Sequence, residues 1–283
     1  MRSPESVSPH PPDLPSVLEG LPPFPTIALR VMQLVSAVDV RLKELSDLIT
    51  ADQSYSAQVL RLANSPMFGL RAEVRGILQA IVVLGVERIK ALAFAAGIQT
   101  YLAKPLRDPL LAPSWRHSLA SAIIAEQLGR ISLIEEDVAY TAGLLHDIGR
   151  LALIAAQPVR YSKLVASAVQ SPFDFLEAER HLFGIDHCEA GNCIVAKWKL
   201  PHILGGVASL HHSQPTDSRF EIVAVARTAC QLADALGFAA VRPLQPLGVD
   251  EVIATLPDRE RNNFVPLLHR HVVDINLKIT SVE

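Results

Sequence analysis

His146 and Asp147 stand side by side inside the apolar run Ala142-Gly143-Leu144-Leu145-His146-Asp147-Ile148-Gly149-Arg150. Imidazole and carboxylate are both good ligands for divalent transition metals. A carboxylate flanked by Leu145 and Ile148 is costly to bury unless a cation meets it, because an unpaired charge resists leaving water. Two cations could do so. One is Arg150, three residues on, at the spacing of an ordinary helical pair. The other is a metal ion shared with His146 and with residues distant in the chain. Taken alone, a His-Asp dipeptide favours the structural pair over the metal.

The rest of the chain shifts that balance toward a metal. His117, His187, His211, His212 and Asp234 each fall on or at the edge of a predicted helix. A helical bundle can bring such residues together from facing helices. Asp147 is then placed to bridge two ions, with histidines on either side and open positions for water or a phosphate oxygen. That arrangement generates hydroxide near neutral pH and clamps an in-line displacement. Arg150 either grips a substrate phosphate or neutralises Asp147. His10, His181, His202, His269 and His271 lie outside the pattern and read as surface residues.

The elements that must carry these residues are helical. The chain has 283 residues, enough to bury a large core without disulfides or structural metal. Its composition, 49% hydrophobic with only 5% aromatic, calls for an aliphatic, Ala-lined core of packed helices. No β-type alternation interrupts that reading. The periodicity predicts helices from Ile27 to Val35, Leu42 to Ile49, Ser54 (as N-cap) to Asn64, Ile77 to Leu84 and, beyond Gly85, Val86 to Leu102. Pro105, Pro109 and Pro113 then mark a subdomain boundary. Helices follow at Trp115 to Leu128, Glu136 to His146 with Gly149 as its C-cap, Tyr161 to Val169 and Phe173 to Phe183. Asp186 and Glu189 form a capping box for a helix through Trp198, with His187 exposed in its first turn. Further helices run from Pro201 to His211-His212, Arg219 to Leu236, Val249 to Leu256 and Phe264 to Ile279.

Composition also excludes partners. The formal net charge of −3 gives no general attraction to a polyanion. The helix-turn-helix outline around Leu42 to Asn64 offers only Arg61, Gln53, Ser54, Tyr55 and Gln58 to a phosphate backbone, so nucleic acid is disfavoured. Cys188, Cys193 and Cys230 form no CxxC pair and read as reduced, buried thiols. No export signal and no uninterrupted apolar span of ~18 residues is found, which places the chain in the cytoplasm and off the membrane.

The ordered series His117, His146-Asp147, His187, His211-His212 and Asp234 resembles the HD superfamily of metal-dependent phosphohydrolases. Leu21-Pro22-Pro23-Phe24-Pro25, Leu60-Arg61-Leu62-Ala63-Asn64-Ser65, Ala80-Ile81-Val82-Val83-Leu84-Gly85 and the Gly143 to Gly149 run resemble its HDOD branch, related to the HD-GYP proteins. The resemblance implies an all-α fold in which an N-terminal helical part packs on an HD-like bundle. The expected organisation is a disordered Pro-rich tail at 1–20, an HDOD domain at 21–240 (N-terminal part 21–112, HD-like part 113–240) and a helical extension at 241–283.

The implied metal ligands are His117, His146, Asp147, His187, His211 and Asp234, holding one or two divalent transition-metal ions drawn from Fe, Mn, Zn and Ni. His212 and Arg150 are expected to support them or to bind phosphate. The family implies signalling or regulation through a protein partner. The alternative is hydrolysis of a phosphate-containing small molecule, a nucleotide or cyclic dinucleotide, with His146 and Asp147 catalytic. Three departures bear on the choice. Ser213-Gln214-Pro215 follows His212 in place of the GYP signature, Arg150 stands where many HD enzymes have Lys, and Pro113 replaces the Glu of a third-metal site.

Overall fold

The computed structural model describes residues 15–34, 42–213 and 220–267, with the single positions 275 and 279. Among the described residues there is no strand. The N-terminal part holds α1 (Ser16–Glu19), α2 (Thr26–Leu34), α3 (Leu42–Thr50), α4 (Gln53–Ala63), α5 (Ile77–Leu84) and α6 (Val86–Leu102). The second part holds α7 (Ala112–Ser132), α8 (Glu136–Leu145), α9 (Ile148–Ala156), α10 (Pro158–Gln170), α11 (Phe175–Phe183), α12 (His187–Lys197), α13 (His202–Leu210) and α14 (Ile222–Ala233), followed by α15 (Val249–Ala254) and α16 (Asp258–Phe264).

One continuous core joins the two parts through α6, in which every residue from Arg88 to Ile98 is buried. α2, α4 and α5 pack on α6 from one side, and α8 and α9 from the other. Such a helix needs small residues where neighbours press close. A Cβ on Gly97 would stand 2.7 Å from that of Ala28 on α2. The Phe24 ring closes the junction against Trp198, with centroids 4.2 Å apart, and against Phe94 at 5.1 Å. Arg88 ties α6 to the second part through ion pairs to Glu126 and Asp137 and lies 4.6 Å from the Tyr140 ring centre. The three prolines after α6 thus bend the chain without dividing its core.

Several sequence expectations are corrected. Order begins earlier than residue 21: α1 buries Val17 and Leu18 and packs on α9, since two apolar side chains can anchor a single turn despite flanking prolines. Residues 1–14 lie outside the described part. The N-cap of α4 is Asp52, whose carboxylate accepts from the Tyr55 N–H at 3.0 Å, rather than Ser54. Tyr55 turns inward and donates its hydroxyl to the Ala93 carbonyl, which removes it from any nucleic-acid surface. Pro158 starts α10 at its first turn, ahead of the expected Tyr161. α11 begins only at Phe175, capped by Asp174. α15 packs on α14 and α16 on α7, and Ile275 and Ile279 are buried in the same core. Of the expected final helix from Phe264, Phe264 instead ends α16 and Val265–Leu267 form a 3₁₀ turn, while residues 268–274 and 276–278, like Val35 and Arg219, lie outside the described residues.

The correction that matters most concerns Gly149. It does not end a helix. α8 stops at Leu145, Asp147 has the non-helical angles φ −101° and ψ 23°, and α9 begins at Ile148 with Gly149 as its second residue. The glycine is there for space, because a Cβ on it would lie 1.9 Å from the His187 carbonyl oxygen and 2.3 Å from the Gly191 nitrogen of α12. Gly143 does the same on the other side, where a Cβ would lie 2.5 Å from the Ser121 carbonyl oxygen of α7. The stretch Glu136–Ala156 is apolar enough by length and composition to suit a membrane, but 83% of its most apolar window is buried inside the protein, which marks it as the core element.

Gly149→Ala should therefore destabilise the protein by about 3 kcal/mol or more, since backbone rather than a movable side chain opposes the added carbon. Gly206→Ala, in α13 with open space around the same position, should stabilise by about 0.5–1 kcal/mol. Chemical denaturation midpoints of the two variants beside wild type check both signs.

Candidate metal centre

The break between α8 and α9 presents His146 and Asp147 to the neighbours that the two glycines admit. α7 brings His117 and α12 brings His187, while His211 arrives just past the end of α13. All five are buried, each about 1–2% exposed. This corrects the expectation that His187 is exposed: the close approach of α9 and α12 at Gly149 encloses the first turn of α12.

Hydrogen bonds fix the imidazole tautomers. The Nδ1 of His146 lies 2.7 Å from the Gly143 carbonyl and that of His211 lies 2.9 Å from the Ala208 carbonyl. A carbonyl only accepts, so both Nδ1 atoms carry the proton and both Nε2 atoms hold lone pairs. His117 follows the same pattern, with Nδ1 3.0 Å from the Phe238 carbonyl and 3.3 Å from Asp234 Oδ1. Its Nε2 meets that of His146 at 3.1 Å. Two lone pairs facing each other at that distance repel unless a cation lies between them. The Nε2 of His211 and the Oδ1 of Asp147 are 3.9 Å apart, and among the described residues neither atom has a hydrogen-bond partner. Two metal–ligand bonds of ~2.1 Å reach across such a gap. The donor set therefore fits a divalent transition metal.

Asp147 has a second side. Its Oδ2 accepts from Arg150 Nε, and the same guanidinium reaches the Tyr161 hydroxyl at 3.0 Å and Glu179 Oε1 at 3.7 Å. Glu179 in turn accepts from His187 Nδ1 at 2.6 Å and from the Tyr161 hydroxyl. Burial opposes the charge on Asp147, but Arg150 and then the surrounding histidines outweigh it and hold its pKa well below the usual carboxylate range. Burial and Arg150 depress His187, and Glu179 with Asp147 overcomes them, raising it to about 10. The Nε2 of His187 lies 3.2 Å from Arg150 Nη2, which can only donate to it, and 3.4 Å from Asp147 Oδ1. Asp147, Glu179, Arg150 and His187 thus form one buried, mutually hydrogen-bonded cluster.

The structure brings His117, His146, Asp147, His187 and His211 together. Asp234 is turned toward the far nitrogen of His117, where it orients that ring. His212 is exposed, its ring centre 4.2 Å from that of His211. His181 and His202 are exposed away from the cluster, and His10, His269 and His271 lie outside the described residues. A cavity of about 210 Å³ opens beside His117, His187 and His212, with Phe175 and Arg242 among its lining residues.

Three contributors were not singled out in sequence. Glu179 and Tyr161 are buried polar residues on helices with ordinary amphipathic patterns, and nothing local marks them. Cys230, whose Sγ lies 3.5 Å from His117 Nε2, was legible in principle, one helical turn before Asp234.

A family model for the HDOD domain matches residues 21–214. The crystal structure of an HDOD domain protein of unknown function from Geobacter sulfurreducens is similar over 93% of both chains, with 25% identity and a TM-score of 0.74. A candidate signal transduction protein from Marinobacter aquaeolei shares 24% identity with a TM-score of 0.72, over 94% of this chain and 60% of its own. A candidate phosphohydrolase from Shewanella amazonensis shares 23% identity with a TM-score of 0.69, over 93% and 98%. An uncharacterized protein of Treponema pallidum is 24% identical over 200 residues, and the match spans only 39% of that relative's length.

Burial holds His117 (down to about 3), His146 and His211 below the ordinary histidine value. Their folded pKa values are depressed, so the unfolded chain takes up protons first and stability is lost as pH falls through ~6.5. Asp147 adds to this at lower pH. Asp234, raised by burial to about 7, works in the opposite direction between ~4 and 7, and His187 costs stability as pH rises toward 10. With three histidines outweighing one carboxyl, the metal-free protein should be most stable near neutrality. His117 alone should cost about 2 kcal/mol by pH 5. Urea midpoints in chelator at pH 5, 7 and 9 measure the profile.

Proposed function

The chain belongs to the HDOD domain family, and from that premise we propose that it is a signal-transduction or regulatory protein built around a single divalent transition-metal ion and acting through a protein partner. The carrying observation is the buried Asp147–Arg150 pair. A carboxylate that bridges the ions of a two-metal centre through its two oxygens needs both of them free, whereas here Oδ2 is committed to a guanidinium that is itself held by Tyr161 and Glu179. His187, expected among the metal ligands, is held by Glu179 through its ring Nδ1 and its backbone N–H at 2.9 Å, and its Nε2 faces Arg150 Nη2 at 3.2 Å. What remains for metal is Asp147 Oδ1 and the Nε2 atoms of His117, His146 and His211, in overlapping groups that share the one Nε2 lone pair of His146 and so favour a single ion.

A protein partner is further supported by α5, where Leu78, Val82 and Val83 expose 47%, 69% and 52% of their surface along the side opposite the buried Ile77, Ala80 and Ile81. The second reading is a metal-dependent phosphohydrolase or phosphodiesterase acting on a nucleotide or cyclic dinucleotide. The cavity favours it, reaching His117 and His187 from a rim that carries Arg242.

Elemental analysis of the purified protein, beside phosphodiesterase assays on bis(p-nitrophenyl) phosphate and on a cyclic dinucleotide, separates the two. The expected result is a single equivalent of metal, lost in Asp147→Asn, with turnover at background in wild type. Two equivalents together with turnover that Asp147→Asn abolishes would establish the enzyme instead.

A further inference from the structure

We propose that Cys230 is a thiolate ligand of the ion, so that the site is a His/Cys centre selective for a thiophilic metal such as zinc or cobalt over magnesium or manganese. This deepens the single-ion reading above and rests on it.

The geometry comes from three helix regions. His117 lies on α7, His146 at the end of α8 and Cys230 in the last turn of α14, and their donor atoms lie within 4.8 Å of one another. The His117–His146 Nε2 separation is 3.1 Å and the Cys230 Sγ–His117 Nε2 separation is 3.5 Å. A tetrahedral ion with bonds of ~2.05 Å to nitrogen and ~2.3 Å to sulfur holds its ligands ~3.3 Å (N to N) and ~3.6 Å (S to N) apart. The observed distances match those values closely.

An ordinary S–H···N hydrogen bond does not account for the cluster as well. The Nδ1 protons of both histidines are committed to carbonyls, so two Nε2 lone pairs face each other and the thiol has one proton to give. A metal ion satisfies both nitrogens and the sulfur at once. On binding, the S–H bond breaks, the sulfur–metal bond forms and the proton passes to solvent. Asp234, one turn further along, would be the expected carboxylate ligand, but its Oδ1 is 3.3 Å from the far nitrogen of His117. It orients the ring while the thiolate takes the position facing the ion. Sulfur ligation selects the softer ions of the first transition row, whereas magnesium and manganese prefer oxygen.

Anaerobic titration of the chelator-stripped full-length protein with Co²⁺ tests this directly, because thiolate ligation gives a near-ultraviolet sulfur-to-cobalt charge-transfer band that nitrogen and oxygen ligands do not. The wild type should show the band, and the Cys188→Ser/Cys193→Ser double variant, which keeps Cys230 as its one thiol, should retain it. Cys230→Ser should lose it and bind Co²⁺ at least ~10-fold more weakly. Visible cobalt bands without the near-ultraviolet band would overturn the thiolate assignment and leave the single-ion reading standing. Loss of the band in the double variant would also overturn it, since His187, Cys188 and His211 form a neighbouring group. Failure of the folded wild type to bind cobalt or zinc would overturn both readings.

Discussion

The buried carboxylate of Asp147 is the constraint on which the rest of the structure depends. It sits in the middle of the core at a break between two helices, 1% exposed, where a lone charge could not persist. Its neutralisation requires cations from several directions, and the fold supplies the room. Gly143 lets the backbone of α7 approach α8, and Gly149 lets α12 approach α9. The first contact brings His117 to the pair and the second brings His187. The two glycines that bracket the His-Asp run are thus as much a part of the centre as its ligands. They act by subtraction, removing the side chains that would hold the ligand-bearing helices apart.

Placing Asp147 at the start of α9 also changes its electrostatics. Had α8 continued to a C-cap at Gly149, the carboxylate would have faced the negative end of a helix dipole. Instead it opens a new helix, where the dipole favours an anion, and its backbone carbonyl accepts from the Leu151 N–H at 3.2 Å. The two-residue interruption at His146 and Asp147 therefore turns the carboxylate toward the histidines and eases its burial at the same time.

How much of this could be read in the chain follows from the range of each interaction. The capping box at Asp186 and Glu189, the stop at Asn64 and the separator Gly85 are local, and all stand where the residues suggested. The His-Asp run and its Arg150 pair were legible for the same reason, being three residues apart. The break at Asp147 was not, because apolar periodicity runs on from Leu144 through Leu151 and gives no sign that the backbone changes direction. Glu179 escaped notice since its meaning depends on Tyr161, Arg150 and His187, which come from three other segments. Asp234 shares the outer nitrogen of His117 with the Phe238 carbonyl, which the turn at Gly237, with φ 91°, brings to the ring edge. Such a reversal within a helix end leaves only a glycine in the sequence.

The centre divides into an electrically closed half and an open one, and the division runs through a single carboxylate. Asp147 and Glu179 meet Arg150 and His187 directly, so in that half each carboxylate has its partner. The three Nε2 lone pairs of His117, His146 and His211 and the neighbouring Cys230 sulfur present donors without a positive partner, and that half attracts a cation. Asp147 belongs to both, with Oδ2 on Arg150 and Oδ1 between the His187 ring and the open side. Any ion drawn to Oδ1 competes with His187 for the same atom. Loss of that contact reaches Glu179 on α11 through the 2.6 Å hydrogen bond that positions the ring.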